Sequence, residues 1–259
     1  MILLAGAAPA WAAEHPALAR ARALYNAADF DAAIESALVS REQPDSAHAS
    51  ALVIARSHLE RYRQRADVSD LTQAREALVT IQAGLLTPRD QIDLLIGLGQ
   101  SLFFGELFGP AAEVFDTALG RADGLAGKDR RQLLDWWASA LDRDAQLRPL
   151  HMRPGAYARL SERMEAELKQ DPGCAPANYW LAVSARGSGD VDRAWNAAIA
   201  GWVRALLRPE TADALRADLD RLVADALIPE RVRARPPGEH ADATAALTTE
   251  WDLVKQQWK

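Results

Sequence analysis

The sequence predicts an all-α protein, an α-solenoid of about five antiparallel helix pairs closed by a C-terminal capping helix and a tail helix. Three observations carry this expectation. Apolar residues recur at spacings of three and four in nearly every segment after Pro16, the period of a helix with one buried face. The every-second-residue alternation of a half-buried strand is almost absent. Gly, Pro and Asp punctuate the chain where short helices joined by tight turns would need them. Hydrophobic residues make up 49% of the 259 and charged residues 25%, a balance that permits a sizeable core and argues against global disorder.

The elements follow in order. "ALARARALYNAADFDAAIESALVSREQPD" divides into a helix ending near Ala27 and a second beginning at Asp29 or Phe30, with Asp29 as N-cap and Pro44 as terminator. Residues 46–65 form a third helix, and Ser69 or Asp70 opens a fourth that runs to about Gly84. Pro88 and Asp90 open the fifth, and the sixth starts around Pro110. A glycine-rich connection at 120–129 precedes a seventh helix at 130–147. Residues 148–155 read as a loop, 156–170 as an eighth helix stopped by Asp171-Pro172-Gly173, and 175–207 as a further pair. Residues 209–233 form the capping helix, broken near Pro229, and 234–243 a linker. The terminal amphipathic helix, 244–259, presents Trp251, Val254 and Trp258 on one face, to fold back onto the array or to dock on a partner.

The segment "LLIGLGQSLFFGELFGPAAEVFDTAL" (94–119) mixes large apolar residues with glycine and alanine. Leu95, Leu98, Gly99 and Leu102 lie along one helix, and Phe108, Ala111, Phe115 and Ala118 along the next. Gly99 and Ala111 lack bulk, so the two helices can approach closely while Leu98, Leu102, Phe108 and Phe115 fill the surrounding space. This pattern resembles the tetratricopeptide repeat. The same signature recurs in 175–202, with Leu181-Ala182 and Gly189-Asp190-Val191-Asp192, and in 18–38, with Ala28-Asp29-Phe30-Asp31. The resemblance extends over 17–207, and it implies that the first helix of each pair lines a concave binding surface.

Under that resemblance the binding candidates are Arg22, Tyr25, Arg56, Arg63, Gln100, Phe103, Phe104, Tyr179 and Arg186, with Trp137 from the tryptophan-rich second half. Aromatic anchors beside arginines suit a peptide or another carboxylate-bearing ligand. The expected function is therefore a non-catalytic scaffold that holds a protein or peptide partner. The alternative is a periplasmic small-molecule-binding accessory of a solute-uptake system. In outline the chain is similar to the helical-repeat partner of tripartite substrate-binding transporters, with Phe103, Phe104, Trp137 and Trp180 lining an apolar pocket.

Other classes find little support. The net charge is −6, without the basic footprint of a nucleic-acid binder. His15, His48, His58, His151 and His240 form no metal-ligand spacing, and no phosphate-loop, dinucleotide or nucleophile-elbow motif occurs, so no metal, cofactor or catalytic residue is expected. Cys174 stands alone, which excludes a disulfide within the chain. "MILLAGAAPAWAAEHP" carries an apolar run and Ala10-Trp11-Ala12, a small-x-small site of the secretory type. Residues 1–13 read as an export signal without its basic start, with a buried helix as the alternative; either the natural start lies upstream or the chain has been trimmed. Ala7 stands where lipidation would need Cys. Export, with a composition rich in Ala, Arg and Asp, points to the bacterial periplasm or exterior. No run is long and apolar enough to span a bilayer.

Overall fold

A computed structural model of the protein describes residues 14–121 and 125–259; the expected export signal lies outside the described residues. Helices packed against their neighbours make up the fold, and the described residues contain no strand. The chain divides into two compact units, 1–105 and 106–259.

The first unit contains α1 (Pro16–Asn26), α2 (Phe30–Arg41), α3 (Ala47–Arg65), α4 (Val68–Val79) and α5 (Pro88–Phe104). The second contains α6 (Phe108–Leu119), α7 (Gly127–Leu147), α8 (Arg153–Gln170), α9 (Ala175–Gly187), α10 (Val191–Arg204), α11 (Pro209–Leu222), α12 (Ile228–Arg233) and α13 (His240–Gln257). The unit boundary falls in the turn of the helix pair that the sequence marks most strongly, so α5 and α6 belong to different units.

Local chemistry explains where the helices start. Side-chain oxygens of Asp29, Asp67, Thr87 and Asp190 accept the free backbone N–H groups of α2, α4, α5 and α10. Proline occupies the first turn of α1, α5, α8, α9 and α11, where its missing N–H costs nothing. The α1–α2 and α9–α10 turns share one design. Ala28 (φ 61°) and Gly189 (φ 83°) adopt the left-handed region, and the following Asp29 and Asp190 donate their N–H back to Leu24 and Ala185 across 3.0 Å.

In the first unit α3 packs against α1, α2, α4 and α5. The contacts are made by small residues. Ala21, Ala33, Ala37, Ala55 and Ala74 have no exposed surface, and the Ser40 and Ser50 hydroxyls meet at 2.7 Å between α2 and α3. Leu18, Leu52, Ile54, Leu78, Leu86 and Leu94 form the main core. His58 Nδ1 lies 2.7 Å from Asp70 Oδ1, tying α3 to α4 through a buried pair that Arg61 also approaches.

In the second unit α7, α9 and α11 pack in succession, with α8 and α10 against α9. Phe115, Leu133, Leu134, Trp137, Leu160 and Met164 are fully buried. The Ser161 and Ser184 hydroxyls repeat, between α8 and α9, the serine contact of the first unit.

Several boundaries differ from expectation. α4 begins at Val68, capped by Asp67, and ends at Val79 rather than near Gly84, followed only by a short 3-10 turn at Ala83–Leu85. α6 begins at Phe108, two residues before Pro110. The expected loop at 148–155 is a 3-10 turn at Leu150–Met152 that leads directly into α8. The segment at 209–233 is not broken at Pro229. The turn at Val223–Leu227 widens to π geometry, which accommodates the donor that proline cannot give to the carbonyl of Asp225. The linker shortens to 234–239, since α13 starts at His240. Leu98, expected to fill the space between helices, is 36% exposed. Trp251 folds back within its own chain and is buried, whereas Trp258 is 39% exposed.

Two stability outcomes follow. An alanine at φ 61° carries strain that glycine lacks. Ala28→Gly is expected to stabilise the protein by about 1 kcal/mol, read as a higher urea midpoint at unchanged slope. A Cβ on Gly187 would lie 2.3 Å from Cζ of the buried Tyr157 ring. Gly187→Ala is expected to cost about 1–3 kcal/mol. Most of that cost should vanish in a Tyr157→Ala background, and additive effects in the double-mutant cycle would refute the clash.

Candidate functional site

Each unit presents a polar stripe on helices that lie side by side. In the first unit these are α1, α3 and α5. Helical spacing places Asp90, Asp93, Gly97, Gln100 and Phe104 along one face of α5. Arg56, Glu60 and Arg63 share a face of α3, and Arg22 and Tyr25 one of α1.

These side chains form small bonded groups along the stripe, close enough for the charge of one group to act on the next. Both terminal nitrogens of Arg22 donate to the Asp90 carboxylate, at 2.8 and 3.0 Å, and its Nε lies 2.7 Å from Glu14. The Arg56 guanidinium sits 4.8 Å from the Tyr25 ring centroid and 2.9 Å from Asp93. Arg56 Nε is shielded from solvent and makes no hydrogen bond among the described residues. Arg63 Nε donates to Glu60 across 2.7 Å, and the amide of Gln100 reaches the other oxygen of Glu60 at 3.4 Å. Phe104 packs edge-on against Tyr62 at 5.0 Å and against Phe103 at 6.1 Å.

The acids in these groups are buried and the arginines are partly exposed. Asp90, Asp93 and Glu60 are each at most 7% exposed, whereas the Arg63 side chain is half exposed. Burial would raise the Asp90 carboxyl, but the fork of Arg22 and the Thr87 hydroxyl outweigh it and hold the group below the ordinary carboxylate range. Burial likewise pushes the Tyr25 hydroxyl up, against the opposing charge of Arg56.

In the second unit the stripe runs over α7, α9 and α11. Trp180 Nε1 donates to Asp135 at 2.7 Å, joining α9 to α7, and Tyr179 packs edge-on against Trp180 at 5.2 Å. Tyr157 donates its hydroxyl to Asp142 at 2.9 Å. Arg186 is held by Glu230 of α12, with contacts of 2.7 and 2.9 Å. Burial raises the carboxyls of Asp135 and Asp142, whose hydrogen-bond donors are the neutral Trp180, Tyr157 and Gln146. Burial, then the charges of Asp218, Asp142 and Asp135, raises the Tyr179 hydroxyl.

Of the ten residues singled out in the sequence, Arg22 meets Asp90, Arg56 meets Tyr25 and Asp93, and Arg63 and Gln100 share Glu60. Phe103 and Phe104 pair with each other and, through Phe104, with Tyr62. Tyr179 and Arg186 lie on the second unit's stripe. Trp137 has no exposed surface, and Arg159 and Arg163 stand 5.8 and 5.0 Å from its ring centroid. The acidic partners went unnoticed in the sequence, although the spacing of Asp90, Asp93 and Gln100 on an otherwise apolar helix was the available signal.

Cys174 is buried, and burial pushes its thiol up, away from the nucleophilic form. Among the described residues no three His, Cys, Asp or Glu side chains group as a metal site, and no helix is long and apolar enough to cross a membrane.

The opposite carboxyl shifts give a test by pH. The depressed Asp90 contributes stability that is present above the unfolded value near pH 4 and is lost as pH falls through its folded value. The raised Asp142 favours folding below about pH 4, and that contribution is lost as pH rises through its folded value. Urea melts between pH 3 and 8 should show Asp90→Asn costing about 2 kcal/mol at pH 7, with the deficit shrinking in acid. Asp142→Asn should be neutral or stabilising at pH 7, and a clear loss there would contradict the burial argument. Comparison of the chain with protein-family models, curated proteins and solved structures finds no match.

Proposed function

We propose that the protein is a non-catalytic binding scaffold of the bacterial cell envelope, a tetratricopeptide-like array that docks a peptide or protein partner on the face shared by its first-of-pair helices. The location rests on the secretory-type residues at the N-terminus and on composition. The observation that carries the docking role is the row of partly exposed arginines on α1 and α3, Arg22, Arg56 and Arg63, each held by a buried acid, beside the ring of Tyr25.

The chemistry of that face suits a carboxylate-bearing peptide. Buried acids hold the arginine forks in place, so little side-chain freedom is lost when a ligand arrives. The outer contacts are weaker: Glu14, on the exposed side of Arg22, is an exchangeable partner that an incoming carboxylate can replace. The Phe103–Phe104 pair supplies an apolar neighbour.

An array of acidic and apolar peptides, followed by fluorescence polarisation, tests this reading. Selected peptides should bind with an affinity that falls with salt. Arg63→Glu should weaken them about tenfold, the equivalent of about 1.4 kcal/mol, measured at a temperature where both proteins are folded, since the buried Glu60 loses its cation partner. Equal binding by wild type and Arg63→Glu would remove this face from consideration. A melting-point rise with small metabolites alone would favour the solute-binding alternative.

A further inference from the structure

The C-terminal helix α13 is seated on the protein by a small number of specific contacts. Of its 18 residues only Trp251 is buried. The Trp251 indole enters a site made by Trp195 and Trp202 of α10, with ring centroids at 6.1 and 5.3 Å, both edge-on. Two arginines back that site: Arg231 lies 4.8 Å from the Trp195 ring and Arg216 5.1 Å from the Trp202 ring.

Four further features of α13 are read individually. The Trp251 indole N–H donates to Asp220 at 2.7 Å, and the Lys255 ammonium reaches the same carboxylate at 3.0 Å. The Glu250 carboxylate accepts from Trp195 Nε1 at 3.0 Å. The Trp258 carbonyl accepts from Trp202 Nε1 at 3.2 Å and from Arg216 at 2.6 Å.

The rest of α13 is loosely held. A cleft of about 700 Å³ remains between α13 and residues 220–233, lined by Ala224, Ile228, Val232 and Thr248. Leu253 of α13 stays 59% exposed. The connection to α12 is short, exposed and built on Pro236 and Pro237. A helix with one buried side chain, a few polar contacts and a short proline-bearing hinge is suited to leave its site and return, or to enter the same site on another molecule.

We infer that the Trp195–Trp202 site is a receptor for a tryptophan-anchored helix, held in cis by α13 and taken by exchange by α13 of a second copy of this chain. The contacts argue for a second copy because the site reads the glutamate, indole, ammonium and terminal carbonyl of this helix in its own order. A dimer formed in this way reuses every contact of the closed monomer, and its cost is only the loss of independent motion of the two chains.

The test uses a fluorescent peptide of residues 240–259 and the full chain. In the Trp251→Ala chain the receptor is vacated, so the peptide should bind at least tenfold more tightly than to wild type, which has its own arm in place. A peptide carrying the same Trp251→Ala change should not bind. Lys255→Gln is a milder variant on α13 itself that loosens it and leaves Asp220 and every tryptophan of the receptor in place, and it should also gain peptide binding. Light scattering should show wild type forming a dimer as concentration rises and excess peptide dissolving it. No peptide binding to either variant, with helical circular dichroism retained, would overturn the receptor. Peptide binding by a chain that stays monomeric to millimolar concentration would overturn the second copy as its occupant.

Discussion

Close approach of helices through alanine and serine is the constraint on which the other features depend. Ala21, Ala33, Ala37, Ala55 and Ala74 in the first unit, and Ala138, Ala140, Ala177, Ala182, Ala194 and Ala198 in the second, have no exposed surface. Side chains this small let neighbouring helices touch along their length, so dispersion contacts are made by backbone and Cβ atoms. Large side chains must then go elsewhere. The leucines fill the space on the flanks, and charged residues are pushed to the face where successive odd-numbered helices meet. In the first unit that displacement brings the stripes of α1, α3 and α5 within reach of one another, and it explains why Arg22 and Asp90, distant in sequence, share two hydrogen bonds.

The two stripes solve the problem of a buried carboxylate in different ways. Asp90 is ionised against a guanidinium fork, so its burial is compensated by charge and its carboxyl is depressed. Asp135 and Asp142 meet an indole and a phenol, neutral donors that satisfy the oxygens without offsetting the charge, and their carboxyls rise. The first arrangement holds its charges rigidly. The second leaves negative charge that its immediate hydrogen-bond partners do not neutralise, close to the half-buried Tyr179. The same helical spacing thus yields two surfaces of different chemistry, and a partner that fits one has no reason to fit the other.

Much of the helical order was legible because helix signals are local. Asp29 and Asp190 announce their caps, Pro88 and Pro209 sit in first turns, and the alternation of alanine with leucine marks contact faces. The candidate arginines were legible by the same spacing, but their partners were not. That Asp90 meets Arg22 depends on α1 and α5 both packing against α3, and no rule of local sequence states which helix lies beside which. The π turn at 223–227 escaped for a related reason. Pro229 signals a lost hydrogen bond, and the choice between a break and a widened turn is made by burial of Val223, Leu227 and Ile228 on the unit's core, which favours continuing the helix. Trp137, read as a binding aromatic, instead lies within packing that only the folded arrangement of α6, α7 and α8 reveals.

The tryptophans carry the last step. An indole combines a large apolar surface with one donor, and burial favours using that donor, although Trp137 Nε1 has no partner among the described residues. Trp180, Trp195, Trp202 and Trp251 each spend it on a bond between different helices, so each ring fixes both a distance and an orientation. Trp195, Trp202 and Trp251 meet in one place, and one of the three arrives on a helix that is otherwise mostly exposed. A cap that only needed to cover the end of the second unit would spread its apolar contact along its length, as α11 does through Ala212, Leu215, Leu219 and Leu222. Concentrating the buried contact in one indole bonded to Asp220, with Glu250 and the Trp258 carbonyl held by Trp195 and Arg216, attaches the helix with high selectivity and little buried area. That combination belongs to a recognition contact more than to a core, and it makes the C-terminal helix a ligand of its own chain.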